Sequence, residues 1–233
     1  MLFPAPLVRG RLIRRYKRFL ADVALESGEV IVAHCANPGA MLGVAPPDAE
    51  VWLSASRNPL RKLAWSWELV RIGPGLVGIN TSWPNPLAEE AILAGAIPEL
   101  AGYARLTREV RYGRNSRIDL LLEAPERPIC YVEVKNVHLS RGDGLAEFPD
   151  CVTARGAKHL VELADMVASG HRAVMLYVVQ RDDCDRFRTA AEFDPAYHAG
   201  LKLVLAAGVE ALVYGCDVTV DGIRIDRKLA LLA

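Results

Sequence analysis

Between residues 7 and 81, apolar and polar positions alternate in short runs: 7–15, 17–25, 30–34, 50–54, 63–72 and 76–80. A period of two is the mark of half-buried strands. Turn-forming residues separate the runs at Ser27-Gly28, Asn37-Pro38-Gly39, Pro46-Pro47-Asp48, Asn58-Pro59 and Gly73-Pro74-Gly75. Short strands at this spacing predict a small all-β barrel. A five-stranded OB-like barrel is the natural choice, since such barrels hold nucleic acid on a face of basic and aromatic residues. Tyr16, Phe19, Trp52, Trp65 and Trp67 are the candidate stacking faces, against the alternative that they fill the core.

From Trp83 onward the period lengthens. Leu87, Ala91, Ala94 and Ile97 recur at helical spacing with acids between them, so 87–97 reads as a helix. Strands are expected at 106–112, 117–122 and 129–137, then a helix over 154–168 with Thr153 as its N-cap and Leu160, Leu163, Ala164 and Val167 on one face. A strand at 173–179, a helix at 195–207, a strand at 209–214 and a hairpin around Asp221-Gly222 complete the chain. The order αβββαβαβ describes a mixed sheet flanked by helices. The fold class is therefore two-domain, α+β and α/β: an OB-like nucleic-acid-binding barrel over 1–82 and a second domain over 83–233.

Composition adds little to this picture except by exclusion. The 52% hydrophobic and 24% charged residues are those of a globular chain. No apolar run approaches the roughly 20 residues a bilayer needs, and the first residues lack the basic and apolar regions of a secretory leader. Five scattered cysteines form no C-x-x-C pair and read as reduced thiols, so a cytoplasmic location is expected. Charge changes the picture more. The net charge is zero, yet residues 1–82 carry ten Lys/Arg against six Asp/Glu, and six of the ten residues from Arg9 to Arg18 are cationic. A local cluster of this kind binds phosphate whatever the total charge.

Chemistry concentrates in two fragments, Ser116-Arg117-Ile118-Asp119-Leu120-Leu121-Leu122 and Tyr131-Val132-Glu133-Val134-Lys135. Alternation along a strand puts Glu133 and Lys135 on one face of an otherwise apolar sheet. Asp119, among leucines and isoleucine, belongs to a buried strand, where a lone carboxylate is costly unless a cation offsets it. Two readings fit: a divalent metal site, or a buried Asp119/Lys135 salt bridge. The D-x13-E-x-K spacing on adjacent strands resembles the PD-(D/E)XK nuclease superfamily. That resemblance implies that Asp119 and Glu133 hold Mg²⁺ (or Mn²⁺) and that Lys135 orients or activates the attacking water, making all three the catalytic set. Hard carboxylate oxygens suit Mg²⁺.

A longer series of segments resembles the sugar fermentation stimulation protein A (SfsA) family along nearly the whole chain. They are Arg15-Tyr16-Lys17-Arg18-Phe19-Leu20-Ala21-Asp22-Val23, His34-Cys35-Ala36-Asn37-Pro38-Gly39-Ala40-Met41, Arg61-Lys62, Trp67-Glu68-Leu69, Glu109-Val110-Arg111-Tyr112-Gly113, Ser116-Arg117-Ile118-Asp119, Glu133-Val134-Lys135, Phe148-Pro149-Asp150 and Arg155-Gly156-Ala157-Lys158-His159-Leu160. The resemblance implies an OB-like domain joined to a PD-(D/E)XK domain, non-specific DNA binding and a bacterial role in regulating sugar (maltose) metabolism. The chain departs from the family pattern at Asn136, His138 and Ala154, where Ser, Thr and Glu are usual. His138 is read as a hydrogen-bonded residue rather than a ligand.

Further metal ligands are expected at Glu90, on the helix before the sheet, and Glu109, on the strand beside that of Asp119. DNA contacts are expected from Arg14, Arg15, Lys17 and Arg18, from Arg61 and Lys62, and from Arg155, Lys158 and His159 at a helix N-terminus, where exposed N–H groups favour phosphate. Glu68 and Arg71 are read as solvated barrel surface. The functions that remain are a Mg²⁺-dependent nuclease, a catalytically silent DNA-binding regulator and a sugar-responsive regulator, the last without any sugar-binding signature. Largely sequence-independent DNA binding follows from either of the first two.

Overall fold

A computed structural model describes residues 1–113 and 115–232. Its first six strands are β1 (Val8–Tyr16), β2 (Leu20–Leu25), β3 (Val30–Cys35), β4 (Glu50–Ala55), β5 (Trp65–Ile72) and β6 (Gly75–Gly78). β1 pairs antiparallel with β2 and β4, β2 with β3, and β4 with β5, and a parallel β3–β5 pair closes the ring. The result is the expected five-stranded barrel, with β6 added outside β5. Alternation drives the closure: Leu12, Ala21, Val23, Ala33, Leu53 and Trp67 point inward and are buried, while Arg11, Arg14 and Val32 stay exposed.

Of the three candidate tryptophans, Trp67 and Trp52 are buried and Trp65 is half-buried. Trp67 is wholly buried, with its indole N–H donating to the Leu69 carbonyl at 2.8 Å. Trp52 packs with Leu87 and Ala88 of the following helix, so the back of the barrel is glued to the second domain by apolar surface. Glu68 is not solvated either. It is 4% exposed, and its carboxylate accepts from Ser54 Oγ, Asn80 Nδ2 and Trp83 Nε1 at 2.7–2.8 Å. Three donors satisfy a charge that burial would otherwise make costly, and they tie the barrel to the segment that starts the second domain.

That domain opens with α1 (Pro84–Leu93), preceded by no polar cap but begun by proline, whose fixed φ suits a first turn. It ends earlier than its apolar period suggests because Gly95 takes φ +73°, a left-handed stop. Strands β7 (Arg105–Tyr112), β8 (Ser116–Glu123) and β9 (Cys130–Val137) follow, then the short β10 (Leu139–Ser140) and β11 (Leu145–Phe148). Next come α2 (Ala154–Ala168), β12 (Arg172–Val179), β13 (Arg186–Thr189), α3 (Pro195–Ala206), β14 (Glu210–Val218), β15 (Ile223–Lys228) and β16 (Ala230–Leu231).

A mixed six-stranded sheet in the order β15-β14-β12-β9-β8-β7 forms the centre. β12 lies parallel to both β9 and β14 and is buried on both faces, as its unbroken apolar sequence requires. One apolar layer joins the sheet to α1 and a second joins it to α2 and α3. The Thr153 side chain accepts from the Gly156 N–H and caps α2 as expected. The four-stranded sheet β10-β11-β13-β16 is an addition that the apolar pattern does not predict, because two- and four-residue strands are too short to show a period. No helix among the described residues is long and apolar enough to cross a membrane.

Candidate metal centre and nucleic-acid interface

The geometry of the centre follows from strand register. β8 and β9 pair antiparallel through Leu122↔Cys130, Leu121↔Tyr131 and Leu120↔Val132, and there the ladder stops. One step further, the same register would set Asp119 against Glu133. Two carboxylates directly opposite repel, and the strands part at that point. On its other side β8 pairs with β7 through Arg108↔Leu120 and Val110↔Ile118, so Glu109 falls opposite Asp119. Glu109 leaves the ladder too, with a left-handed φ of +56° that an L side chain rarely adopts. Register thus places three acids in one row across three neighbouring strands, and the ladder is interrupted on both sides of the middle one.

Each acid is then held differently. Asp119 Oδ2 accepts from the Val134 N–H, freed by the end of the ladder, and Oδ1 accepts from Asn85 Nδ2 at the start of α1, both at 2.8 Å. Burial, then the charge of Glu133, push the Asp119 carboxyl above its ordinary pKa against those hydrogen bonds. Glu133 is 2% exposed. Its Oε1 accepts from Lys135 Nζ at 2.7 Å and from the imidazole of His159, whereas Oε2 is buried and has no partner among the described residues. Burial acts to raise the Glu133 pKa, but the His159 hydrogen bond and the Lys135 and His159 charges outweigh it and hold the carboxyl below its usual value. Lys135 therefore pairs with Glu133; the direct Asp119/Lys135 salt bridge is not what forms.

A buried carboxylate oxygen without a partner is a costly feature. It fits a cation. Among the described residues no three His, Cys, Asp or Glu side chains converge on one point. Mg²⁺ does not require that, because it binds through one or two carboxylates and keeps several waters or phosphate oxygens. Asp119 and Glu133 form such a pair.

Other expected ligands and contacts fall in different places. Glu90 is half exposed and accepts from the Met1 amino group at 2.7 Å, beside β15 at the far edge of the sheet. Five residues of helix separate it from Asn85, about 140° of rotation, so the helix that touches Asp119 turns Glu90 away. Glu109 keeps its place in the row but is exposed. His159, expected to meet DNA, is 3% exposed and lies on the buried face of α2 with Gly156, Leu160 and Leu163. Its sequence signal was the helical spacing itself, which groups it with those apolar residues rather than with Lys158. Lys158 reaches Ser116 Oγ at 3.0 Å and Glu162 at 3.5 Å, and Arg155 is exposed while its Nε donates to His159 Nε2 at 3.3 Å. Neither Asn85 nor the inward His159 was identified from sequence.

The barrel cations also divide. Lys17 and Arg18 form an exposed tip between β1 and β2, both in left-handed conformation, followed by Phe19, which stacks on His34 at 6.4 Å between centroids. Arg61 and Lys62 lie exposed in the β4–β5 loop, with Arg61 donating to Ser66 Oγ on the strand beside His34. Arg14 is exposed but engaged by Asp22 at 2.7 Å and lies over the Tyr16 ring. Arg15 does not face outward. Its guanidinium donates to the carbonyls of Arg18, Asn37 and Gly39, pinning the 37–41 loop.

That loop meets the second domain at Asp150, whose Oδ2 accepts from the Met41 N–H at 2.9 Å and lies 3.5 Å from His138 Nε2. A Cβ on Gly39 would stand 2.9 Å from the same oxygen, so only glycine permits the approach. Burial opposes ionisation of Asp150, yet the His138 interaction and the Met41 N–H outweigh it and bring its pKa down to about 2.

Two family models match the chain. Residues 13–79 match the SfsA N-terminal OB domain and residues 82–222 the sugar fermentation stimulation protein RE domain. The chain is 64% identical over 233 residues to a sugar fermentation stimulation protein homolog of Rhodospirillum centenum, covering all of both. It is 53% identical to the homolog of Caulobacter vibrioides, over 98% of this chain and 96% of that one. Among solved structures, Pyrococcus furiosus SfsA in complex with Ca²⁺ superposes with a TM-score of 0.90 at 26% identity, over all of this chain and 98% of the other.

Proposed function

The chain belongs to the sugar fermentation stimulation protein family, and from that premise we propose that it binds DNA largely without regard to sequence and cleaves its backbone with Mg²⁺ or Mn²⁺. The observation that carries the proposal is the buried Oε2 of Glu133, partnerless among the described residues, beside Asp119 at the fork where β8 and β9 separate. The Ca²⁺ bound by the Pyrococcus relative supports the same reading, since Ca²⁺ and Mg²⁺ share carboxylate ligands.

Asp119 and Glu133 would hold the ion, with Glu109 within one strand of them. When bound, such an ion lowers the pKa of its water and stabilises charge on the phosphate. Lys135 Nζ donates to Glu133 and lies 3.4 Å from His159 Nδ1, which still leaves a donor for a phosphate oxygen or the attacking water. Asn85 and the Val134 N–H keep Asp119 aimed across the fork. On the barrel, Lys17, Arg18, Arg61 and Lys62 flank the Phe19/His34 stack, a charged track beside an aromatic surface that suits backbone and base together. Arg155 and Lys158, in the first turns of α2, extend the charge toward the centre. The five cysteines are free thiols, which suits a reducing cytoplasm.

The test is incubation with linear, nicked and single-stranded DNA in Mg²⁺, Mn²⁺ or EDTA, beside Glu133→Ala. Metal-dependent cleavage by the wild type alone is expected. Binding without cleavage would favour the second reading, a catalytically silent DNA-binding regulator of sugar (maltose) metabolism, for which the sparse acidic set at the centre speaks.

A further inference from the structure

We propose that His159 is the positioning residue of this centre: it locks Glu133 so that only Oε2 is offered to a metal ion. The inference rests on the metal reading above but concerns a residue and an oxygen that the reading does not specify. Glu133 Oε1 faces two donors, Lys135 Nζ and the His159 ring. Two donors use the two lone pairs of one carboxylate oxygen. That leaves Oε2, which is buried and unpartnered among the described residues.

The ring can do this in only one neutral tautomer. Arg155 Nε donates to His159 Nε2, and an arginine never accepts, so Nε2 carries the lone pair and Nδ1 carries the proton given to Glu133. Arg155 thus fixes the tautomer and His159 fixes the carboxylate, while Lys135 Nζ, 3.4 Å from Nδ1, turns its closer contact of 2.7 Å to the same Oε1. The chain of contacts begins at an exposed guanidinium on the first turn of α2 and ends at a buried metal-facing oxygen. His159 is itself 3% exposed, on the buried face of α2, so burial holds the ring where the hydrogen bonds need it. A ring whose role was only to fill space would not need both of its nitrogens engaged by charged partners.

Outer-shell partners of metal ligands are typically worth 10- to 100-fold in affinity. The experiment is a Mn²⁺ titration by calorimetry on wild type, His159→Leu and His159→Asn, with a ¹⁵N imidazole spectrum of the metal-free wild type. Asn places an N–H donor near the position of Nδ1, whereas Leu fills the space without one. We expect His159→Leu to bind Mn²⁺ at least tenfold more weakly, His159→Asn to stay within about threefold of wild type, and the His159 spectrum to show Nδ1 protonated and Nε2 bare. Melting of each metal-free variant shows whether it is folded. Wild-type affinity in a folded His159→Leu, or the opposite tautomer, overturns the proposal. None of these readouts depends on cleavage: a wild type that takes up Mn²⁺ but leaves DNA intact sinks the nuclease reading alone. If the wild type takes up no Mn²⁺, the metal reading falls and this proposal with it.

Discussion

The barrel and the sheet domain use charge in opposite ways. In the barrel the cations that matter sit on the outside: Lys17 and Arg18 at a hairpin tip, Arg61 and Lys62 in a loop, all exposed. In the sheet domain the charges that matter are inside, where Glu133 and His159 are almost fully buried and every hydrogen bond between them is set by neighbouring strands and helices. An exposed charge is screened and adjustable, so it serves attraction over distance; a buried one is rigid and costly, so it serves geometry. Mutations at exposed charges should therefore change function without touching the fold.

The largest expected effect is at the centre. Lys135→Ala should lower cleavage by roughly 10²-fold or more, as expected of a positioned charge-stabilising group, with DNA affinity within a few fold of wild type. Single-turnover cleavage beside a filter-binding isotherm measures both. Equal cleavage by the two proteins would mean that the activity does not use this centre. Arg15 is the exception within the barrel and so sharpens the comparison. Arg15→Ala strands the Asn37 and Gly39 carbonyls and should cost about 1–3 kcal/mol of stability in urea unfolding. If it behaved instead like an exposed cation, leaving stability unchanged and weakening DNA binding, the inward assignment would be wrong.

Asp150, where the two regions touch, should show the pH signature of a paired carboxylate. Its folded pKa of about 2 lies below the unfolded value, so its contribution is present above about pH 4 and is lost as pH falls through 2. Asp150→Asn should lower stability by about 2 kcal/mol near pH 6, and the gap between variant and wild type should close on acidification. A gap that persists at the lowest pH where both still fold would assign the loss to packing. The smallest effect should come from the exposed tip. Lys17→Ala with Arg18→Ala should weaken binding to all DNA sequences by about tenfold and flatten the slope of log affinity against log salt by roughly 2, with no change in melting. Loss of preference for one sequence, rather than uniform weakening, would contradict this.

Much of the architecture was legible in the chain. Period-two runs located the five barrel strands and β6, and the 3.6 period with Thr153 as cap located α2 to the residue. The alternation Glu133-Val134-Lys135 correctly put both charges on one face. Errors came where residues of different elements had to be matched. His159 looked like a phosphate contact because it follows Lys158; Glu68 looked solvated because its donors are 12 to 15 positions away, two of them beyond the barrel strands; Glu90 was chosen from a helix whose useful residue is Asn85.

The sequence by itself determined the local periods, hence the order of strands and helices, the division into a barrel and a mixed sheet, and the acids available for a metal. Those follow from where apolar side chains must go, and a window of ten residues suffices to read them. Tertiary structure alone decided which oxygen of Glu133 stays free, that Arg155 reaches a buried imidazole, and that Arg15 turns inward. Such choices depend on strand register and helix rotation to within a single residue, and no local window contains the partner.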